Sequence, residues 1–149
     1  AGGSRRHNAI SNAMLVALDS HLPDRCQVYS LDVKVHIQTR DEEQYFYPDV
    51  FVTCSELDND AYSSNKPIII IEVISPTTET FDRGTKFDAY RSLMSLQEYA
   101  LVAQDSRRLE LFRRRSNWQP EVFVDDDIVP FESIDLTIPI ASLYRRIAL

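Results

Sequence analysis

The fold is decided by two stretches of the sequence, YPDVFVTC (residues 47–54) and PIIIIEVISPTTETFDRGTKFDAY (residues 67–90). In the first, Asp49 follows a proline at the head of an apolar run. In the second, Glu72 interrupts a β-branched run typical of a strand buried on both faces, and Lys86 follows on a helix-like segment. Two carboxylates and a lysine in one site would suit metal-assisted cleavage of a phosphodiester, because oxygen ligands hold a hard cation and a positive group assists beside the attacking water.

Each of these residues also has a simpler explanation. Asp49 after a proline is typical of a turn. Glu72 favours function more strongly, because a lone carboxylate in a buried strand is costly unless it is paired or bound to a metal. Lys86 shares a helical face with Asp82 and Tyr90, since the three positions are four residues apart. The alternative is that Asp82 and Lys86 form an ordinary ion pair on the surface of the helix.

Length and composition predict one α/β domain spanning residues 1–149, because 149 residues with 44% apolar content suffice for a single core and are too few for two. With no bilayer-length apolar stretch and no basic-then-apolar leader, we expect a cytoplasmic protein without a membrane anchor or signal peptide. Cys26 and Cys54 are the only cysteines and lack zinc-like spacing. Two thiols are not a disulfide framework, so we interpret both as structural or incidental.

The formal net charge of −7 argues against a protein that coats nucleic acid through general electrostatics. The distribution of charge weakens that objection. Acidic residues cluster at 41–43, 56–60 and 125–127, and basic residues cluster at 5–6, 107–108, 113–115 and 145–146. A local basic face is therefore compatible with an acidic total. The alternative is that these arginines lie at solvated ends of strands and helices.

Periodicity and turn residues predict an order of elements along the chain. We expect a helix capped by Ser4 and running to Leu18, a helix capped by Asp82 and running to Leu93, and a short C-terminal helix over 139–146. The predicted strands cover 28–37, 45–53, 68–74, 98–103, 108–114 and 121–124. This order places Asp49 and Glu72 on neighbouring strands, and the following helix folds back to bring Lys86 towards them.

The sequence resembles the Uma2 family, also called DUF820, from about Ser4 to Ile147. The resemblance is carried by YPDVFVTC, by the specific central block EVISPTTETFDRGTKFDAYRS, and by RRLELFRRR and SIDLTIPIASLYRRI. It implies a restriction-endonuclease-like fold of the PD-(D/E)xK superfamily, in which helices flank a central mixed β-sheet. Relatives usually carry a further N-terminal segment, and this chain begins after it.

The resemblance also implies the members of a site. Asp49 and Glu72 match the two acids that bind a divalent cation, Mg²⁺ or Mn²⁺, with help from the backbone carbonyl of Val73. The usual signature has a lysine two residues after the second acid, and Ile74 stands there in this chain. Lys86 is expected to substitute for that lysine from the following helix.

Three further residues are possible supporting members of the site. Asp82 and Tyr90 belong, with the lysine between them, to a DRxxKxxxY pattern that resembles the family motif. His7 falls in the first helix, where the family often has a histidine. Their individual roles are left open by the sequence.

Together these features predict a metal-dependent endonuclease that hydrolyses DNA, although the residues do not distinguish DNA from RNA. A two-fold homodimer would suit cleavage of both strands, and it is the commonest assembly of soluble proteins. A catalytically inactive module that binds nucleic acid or protein is the alternative, and an inert dimerisation domain is a third possibility. All three stay open because a fold alone does not establish activity.

Overall fold

The computed structural model describes residues 3–149, which form four helices, eleven strands and two 3₁₀ turns. The helices are α1 (Arg5–Asp19), α2 (Glu79–Arg83), α3 (Thr85–Arg91) and α4 (Ile140–Tyr144), and the 3₁₀ turns cover Arg114–Ser116 and Glu132–Ile134. The strands are β1 (Gln27–Ser30), β2 (Lys34–Gln38), β3 (Glu43–Phe46), β4 (Val50–Thr53), β5 (Ser63–Ser64), β6 (Pro67–Ile74), β7 (Glu98–Ala103), β8 (Arg108–Arg113), β9 (Pro120–Val124), β10 (Ile128–Phe131) and β11 (Leu136–Pro139).

A six-stranded sheet in the order β1-β4-β6-β7-β8-β9 forms the centre of the fold. Only the β6–β7 pair in it is parallel, so the sheet is mixed. One face packs against α1 and α4, and the other packs against α3 and strand β2. The predicted α/β architecture, a central mixed sheet flanked by helices, is therefore confirmed.

Helix α1 forms as its sequence predicts. The Ser4 hydroxyl caps it by accepting a hydrogen bond from the backbone N–H of His7. Ile10, Met14 and Leu18 recur at four-residue spacing and are fully buried against the sheet. Burial of three such side chains contributes roughly 1.5–3 kcal/mol each. This packing places the start of the helix, and with it His7, beside the residue that precedes strand β4.

Strand β6 is the predicted strand of the isoleucine run, and it is buried on both faces. Ile69, Ile71 and Val73 point towards α1, whereas Ile70 points towards α3. Alternation therefore directs Glu72 to the α3 side, where its side chain is almost completely buried.

Two predicted strands are each divided in the structure. Residues 28–37 form β1 and β2, separated by a turn in which the N–H of Val33 donates to the Ser30 carbonyl, and the two strands belong to different sheets. Residues 45–53 form β3 and β4, separated at Pro48, which has no N–H for a ladder. The second sheet that results has the order β3-β2-β5.

The predicted helix over 82–93 is also divided. Gly84 has φ −106° and ψ −97°, which is not helical, so α2 ends before it and α3 begins after it. Asp82 consequently lies inside α2 and is not a helix cap, which corrects the predicted boundary. The β10–β11 hairpin was not predicted, because Pro130 and Pro139 stand in its short strands and proline weakens a strand pattern.

Cys26 and Cys54 are joined by a disulfide, so the interpretation that they make no disulfide framework is wrong. The antiparallel pairing of β1 with β4 places Gln27 opposite Thr53, which sets the two cysteines next to them face to face. The sequence carried no signal for this pair because it depends on strand register. Within residues 3–149, no helix has the length and apolar character that crossing a membrane would require.

Candidate active site

The predicted site lies where β4 begins and β6 ends. The register that pairs Val50 with Ile71 places Asp49 opposite Glu72. The N–H of Asp49 donates to Glu72 Oε1 (2.9 Å), and the N–H of Val73 donates to Asp49 Oδ2 (2.7 Å). The two acids of the sequence motif are therefore locked side by side by main-chain donors.

Helix α3 brings Lys86 to the same place. Its ammonium contacts Glu72 Oε2 and lies 3.5 Å from Asp82 Oδ1. The lysine side chain is only 14% exposed. The structure thus brings together the two acids and the lysine from three separate elements, as their sequence positions predict.

His7 reaches the site from α1. Its Nε2 lies 3.1 Å from Asp49 Oδ2, so the histidine donates to the carboxylate. That hydrogen bond raises the pKa of His7 and outweighs the opposing effect of partial burial. Asp49 Oδ2 therefore accepts hydrogen bonds from both a side chain and the main chain of β6.

Burial controls the electrostatics of this cluster. It raises the pKa of Glu72 to about 8, although the ammonium of Lys86 acts in the opposite direction. Burial also raises the pKa of Asp82. Burial lowers the pKa of Lys86, but the surrounding carboxylates outweigh it and the net pKa is raised. One ammonium therefore faces three carboxyl groups, and burial favours the neutral form of Glu72 and Asp82 unless a cation is bound.

Tyr90 is the third member of the helical face that Asp82 and Lys86 were predicted to share. Its side chain is fully buried, and the ring packs against Phe46 and Tyr99 at centroid distances of 5.4 and 5.7 Å. Burial raises the pKa of the phenol, and the charge of Glu72 raises it further. Among residues 3–149 the hydroxyl has no hydrogen-bond partner. A buried hydroxyl without a partner is unusual and indicates a place for a water or a ligand.

The oxygens at this place fit a hard cation. Both hydrogen bonds that the Asp49 carboxylate accepts from the described residues go to Oδ2. Its other oxygen, Oδ1, is therefore available to bind a cation. The N–H of Val73 points to Asp49, and the carbonyl of a strand residue points to the same side as its N–H. Register places Pro48 opposite Val73, and proline has no N–H to donate to that carbonyl. Two carboxylates and a carbonyl are ligands that Mg²⁺ accepts.

In the described part of the chain, no group of three or more His, Cys, Asp and Glu side chains forms a metal-binding cluster. The predicted ligand set contains only two such side chains, Asp49 and Glu72, together with the main-chain oxygen of Val73. Any cation here would keep water in its remaining positions, as Mg²⁺ usually does.

One neighbour of the site escaped the sequence analysis. The ring of Phe81, on α2, lies 5.9 Å from the Lys86 ammonium. The two positions are five residues apart and are separated by the break at Gly84. Helical spacing therefore gave no signal for this contact.

Comparisons with known proteins agree with the fold and the motif. The model of the Uma2 family, described as "Putative restriction endonuclease", matches residues 1–141. The uncharacterized protein slr1290 of Synechocystis sp. is 32% identical over 99% of this chain and 78% of its own length. The uncharacterized protein sll1609 of the same organism is 34% identical over 76% of this chain and 66% of its own length.

A solved structure has the same fold. It is the crystal structure of "a putative nuclease belonging to DUF820" from Anabaena variabilis, with a TM-score of 0.77 and 20% sequence identity. The likeness covers 97% of this chain and 83% of that one. It confirms the predicted restriction-endonuclease-like architecture.

Proposed function

This chain belongs to the Uma2 family, as its motifs predict, and we propose that it is a metal-dependent endonuclease that hydrolyses phosphodiester bonds of DNA. One observation carries the proposal: Asp49, Glu72 and Lys86 converge on one place from β4, β6 and α3. Oxygen ligands for a hard cation and a positive group beside the reacting phosphate suit metal-assisted phosphodiester cleavage. A nuclease-like function is also the description of the family as a whole.

Asp49, Glu72 and the carbonyl of Val73 would hold Mg²⁺ or Mn²⁺. Such a cation, when bound, stabilises negative charge on the phosphate and lowers the pKa of a water molecule. The surplus of carboxylates around a single ammonium supports a cation at this position.

The protein's own side chains would do the remaining work. The Lys86 ammonium is a hydrogen-bond donor that would orient the attacking water or stabilise charge developing on the phosphate. Asp82 holds that ammonium from one turn before it. His7 holds Asp49 in position, and the unpartnered Tyr90 hydroxyl would bond to a water in the site.

The proposal is tested by DNA cleavage. Supercoiled plasmid and single-stranded DNA are incubated with Mg²⁺ or Mn²⁺ and the parent, Lys86→Ala or Lys66→Ala. Lys66 is the matched control because it precedes β6, at the end of that strand away from Glu72. We expect metal-dependent cleavage that falls by about 10²–10³-fold in Lys86→Ala, because one transition-state donor contributes about that much.

The control variant should cleave at the parental rate. A folded parent that cleaves neither substrate, or a Lys86→Ala variant that cleaves like the parent, would contradict the proposal.

An inactive binding module with the same fold is the second candidate. The observation that favours it is the direct contact of Lys86 with Glu72, which partly neutralises the acid without a cation. The cleavage experiment separates the two, because a binding module would retain DNA or protein binding without turnover.

A two-fold homodimer also belongs to the proposal, since two sites would act on two strands. Light scattering coupled to size-exclusion chromatography tests it, and a monomeric mass at all concentrations would contradict it.

A further inference from the structure

We propose that Phe81 is a stacking platform for an unpaired base beside the scissile phosphate, so that the substrate is a strand with unpaired bases and not a continuous duplex. This inference rests on the proposed nuclease function and names the substrate class of the same site. Three observations support it: an exposed aromatic ring at the site, the internal pairing of the arginines at 113–115, and the acidic net charge of the chain.

The ring of Phe81 forms a wall of the site. Its centroid lies 5.9 Å from the Lys86 ammonium and 6.1 Å from the ring of Phe46. The side chain is nevertheless 45% exposed. An aromatic ring that is packed on one side and open beside a catalytic lysine offers a surface on which a base can stack.

A second exposed aromatic residue is close in sequence to the first acid. Tyr47 is 54% exposed and stands two residues before Asp49. Its Cα can be no more than about 7.6 Å from that of Asp49, because consecutive Cα atoms are about 3.8 Å apart. Exposed aromatic residues thus occur near both the lysine and the first acid.

The arginines of the 113–115 cluster are not positioned to bind phosphates. Arg113 is buried and paired with Glu98, and Arg115 is paired with Glu132. Arg114 donates to main-chain carbonyls of residues 91, 93 and 96. Neither a phosphate-binding face nor solvated ends describes this cluster, because Arg113 is buried and Arg114 is bonded to the main chain. In a chain with a net charge of −7, stacking would supply affinity that this arginine cluster does not provide.

Stacking of a base on Phe81 also selects against duplex DNA. A base within a duplex is already stacked and paired, so using the platform requires its extrusion, which costs free energy. An unpaired base avoids that cost. Single strands, flaps and mismatched positions are therefore the substrates that fit.

The experiment measures binding without cleavage. Fluorescence anisotropy, with Ca²⁺ in place of Mg²⁺, follows a labelled thymidine oligonucleotide of about 20 nucleotides and a hairpin duplex of the same length. The variants are Phe81→Leu, which keeps apolar contact with Phe46, and Phe81→Tyr, which keeps a ring. Tyr62→Leu is the matched control, because Tyr62 is 82% exposed and lies in the loop joining the ends of β4 and β6 remote from Asp49 and Glu72.

We expect the parent to bind the single strand more tightly than the hairpin. Phe81→Leu should weaken single-strand binding by about 5- to 150-fold, while Phe81→Tyr and Tyr62→Leu bind like the parent. Equal binding of both probes, or unchanged binding by Phe81→Leu, would overturn the inference even if the parent cleaves DNA. Ring-dependent binding by a folded parent that never cleaves DNA would overturn the nuclease proposal and leave the platform standing.

Discussion

Two buried acid–base clusters lie on the central sheet, and they differ in how completely their polar groups are paired. The first surrounds Glu98, on β7, which is 1% exposed. Glu98 accepts from Arg113 Nε, from the N–H groups of Glu132 and Ser133, and from the Ser133 hydroxyl. Arg113 in turn bonds to the Pro130 carbonyl. This cluster is complete without any further partner.

The second cluster surrounds Glu72, on the neighbouring strand β6, which is equally buried. It has one main-chain donor, from Asp49, and one ammonium, from Lys86. Asp82 adds a further carboxylate, and the hydroxyl of Tyr90 is unpartnered in the described chain.

Burial alone therefore does not mark a functional site. Natural proteins pair nearly all of their buried polar groups, so incomplete pairing is the informative feature. The complete cluster should serve stability, and the incomplete one should serve function.

The largest expected effect compares Glu98→Gln with Glu72→Gln. Glu98→Gln removes the most buried of the three carboxylates that pair with Arg113, and it should lower the free energy of unfolding by about 2–4 kcal/mol. Glu72→Gln replaces a carboxyl group whose burial already favours its neutral form, and Asp82 remains beside Lys86, so it should change that free energy by less than about 1 kcal/mol while abolishing cleavage. Urea denaturation of the metal-free proteins measures both. Equal destabilisation by the two variants would remove the distinction between the clusters.

A hydroxyl from each cluster sharpens the comparison. Ser133→Ala removes a donor to the buried Glu98 carboxylate and should cost about 1–2 kcal/mol. Tyr90→Phe removes a hydroxyl that has no partner in the described chain, so the metal-free protein should be unchanged or slightly more stable. Thermal unfolding followed by circular dichroism provides the measurement. A Tyr90→Phe variant less stable than Ser133→Ala would show that the tyrosine hydroxyl is paired after all.

The smallest effect concerns a third pair, between Arg83 on α2 and Glu110 on β8. Arg83 makes two hydrogen bonds to Glu110, and these lower the pKa of the carboxyl. A carboxyl whose folded pKa is depressed adds stability above its unfolded pKa of about 4.3, and that stability is lost as the pH falls through the folded value.

The stability difference between the parent and Glu110→Gln should therefore be at most about 1 kcal/mol near neutral pH and should shrink below about pH 4. Urea denaturation at a series of pH values tests this, with Glu56→Gln as an exposed control. A difference that grows on acidification would have the wrong sign for this linkage.

The spacing of apolar residues along the chain correctly predicted the helix and the strand that depend on it. The four-residue spacing of Ile10, Met14 and Leu18 gave α1, and the isoleucine run gave β6 with Glu72 inside it. The acids and the lysine could be placed together because a strand, its neighbour and the next helix are close in space as well as in sequence.

The features that escaped prediction depend on long-range register or on a single backbone break. The Cys26–Cys54 disulfide follows from the alignment of β1 with β4. The contact of Phe81 with Lys86 follows from the break at Gly84. Neither leaves a periodic signal in the sequence.

The most direct test of the incomplete cluster is titration calorimetry of the parent and Glu72→Gln with Mn²⁺. If the surplus carboxylates form a cation site, the parent should bind one Mn²⁺ ion per chain, and Glu72→Gln should bind it at least about tenfold more weakly, since a charged oxygen ligand is lost. Equal Mn²⁺ affinity of two folded proteins, or no binding by the parent, would contradict the assignment of Asp49 and Glu72 to a metal site.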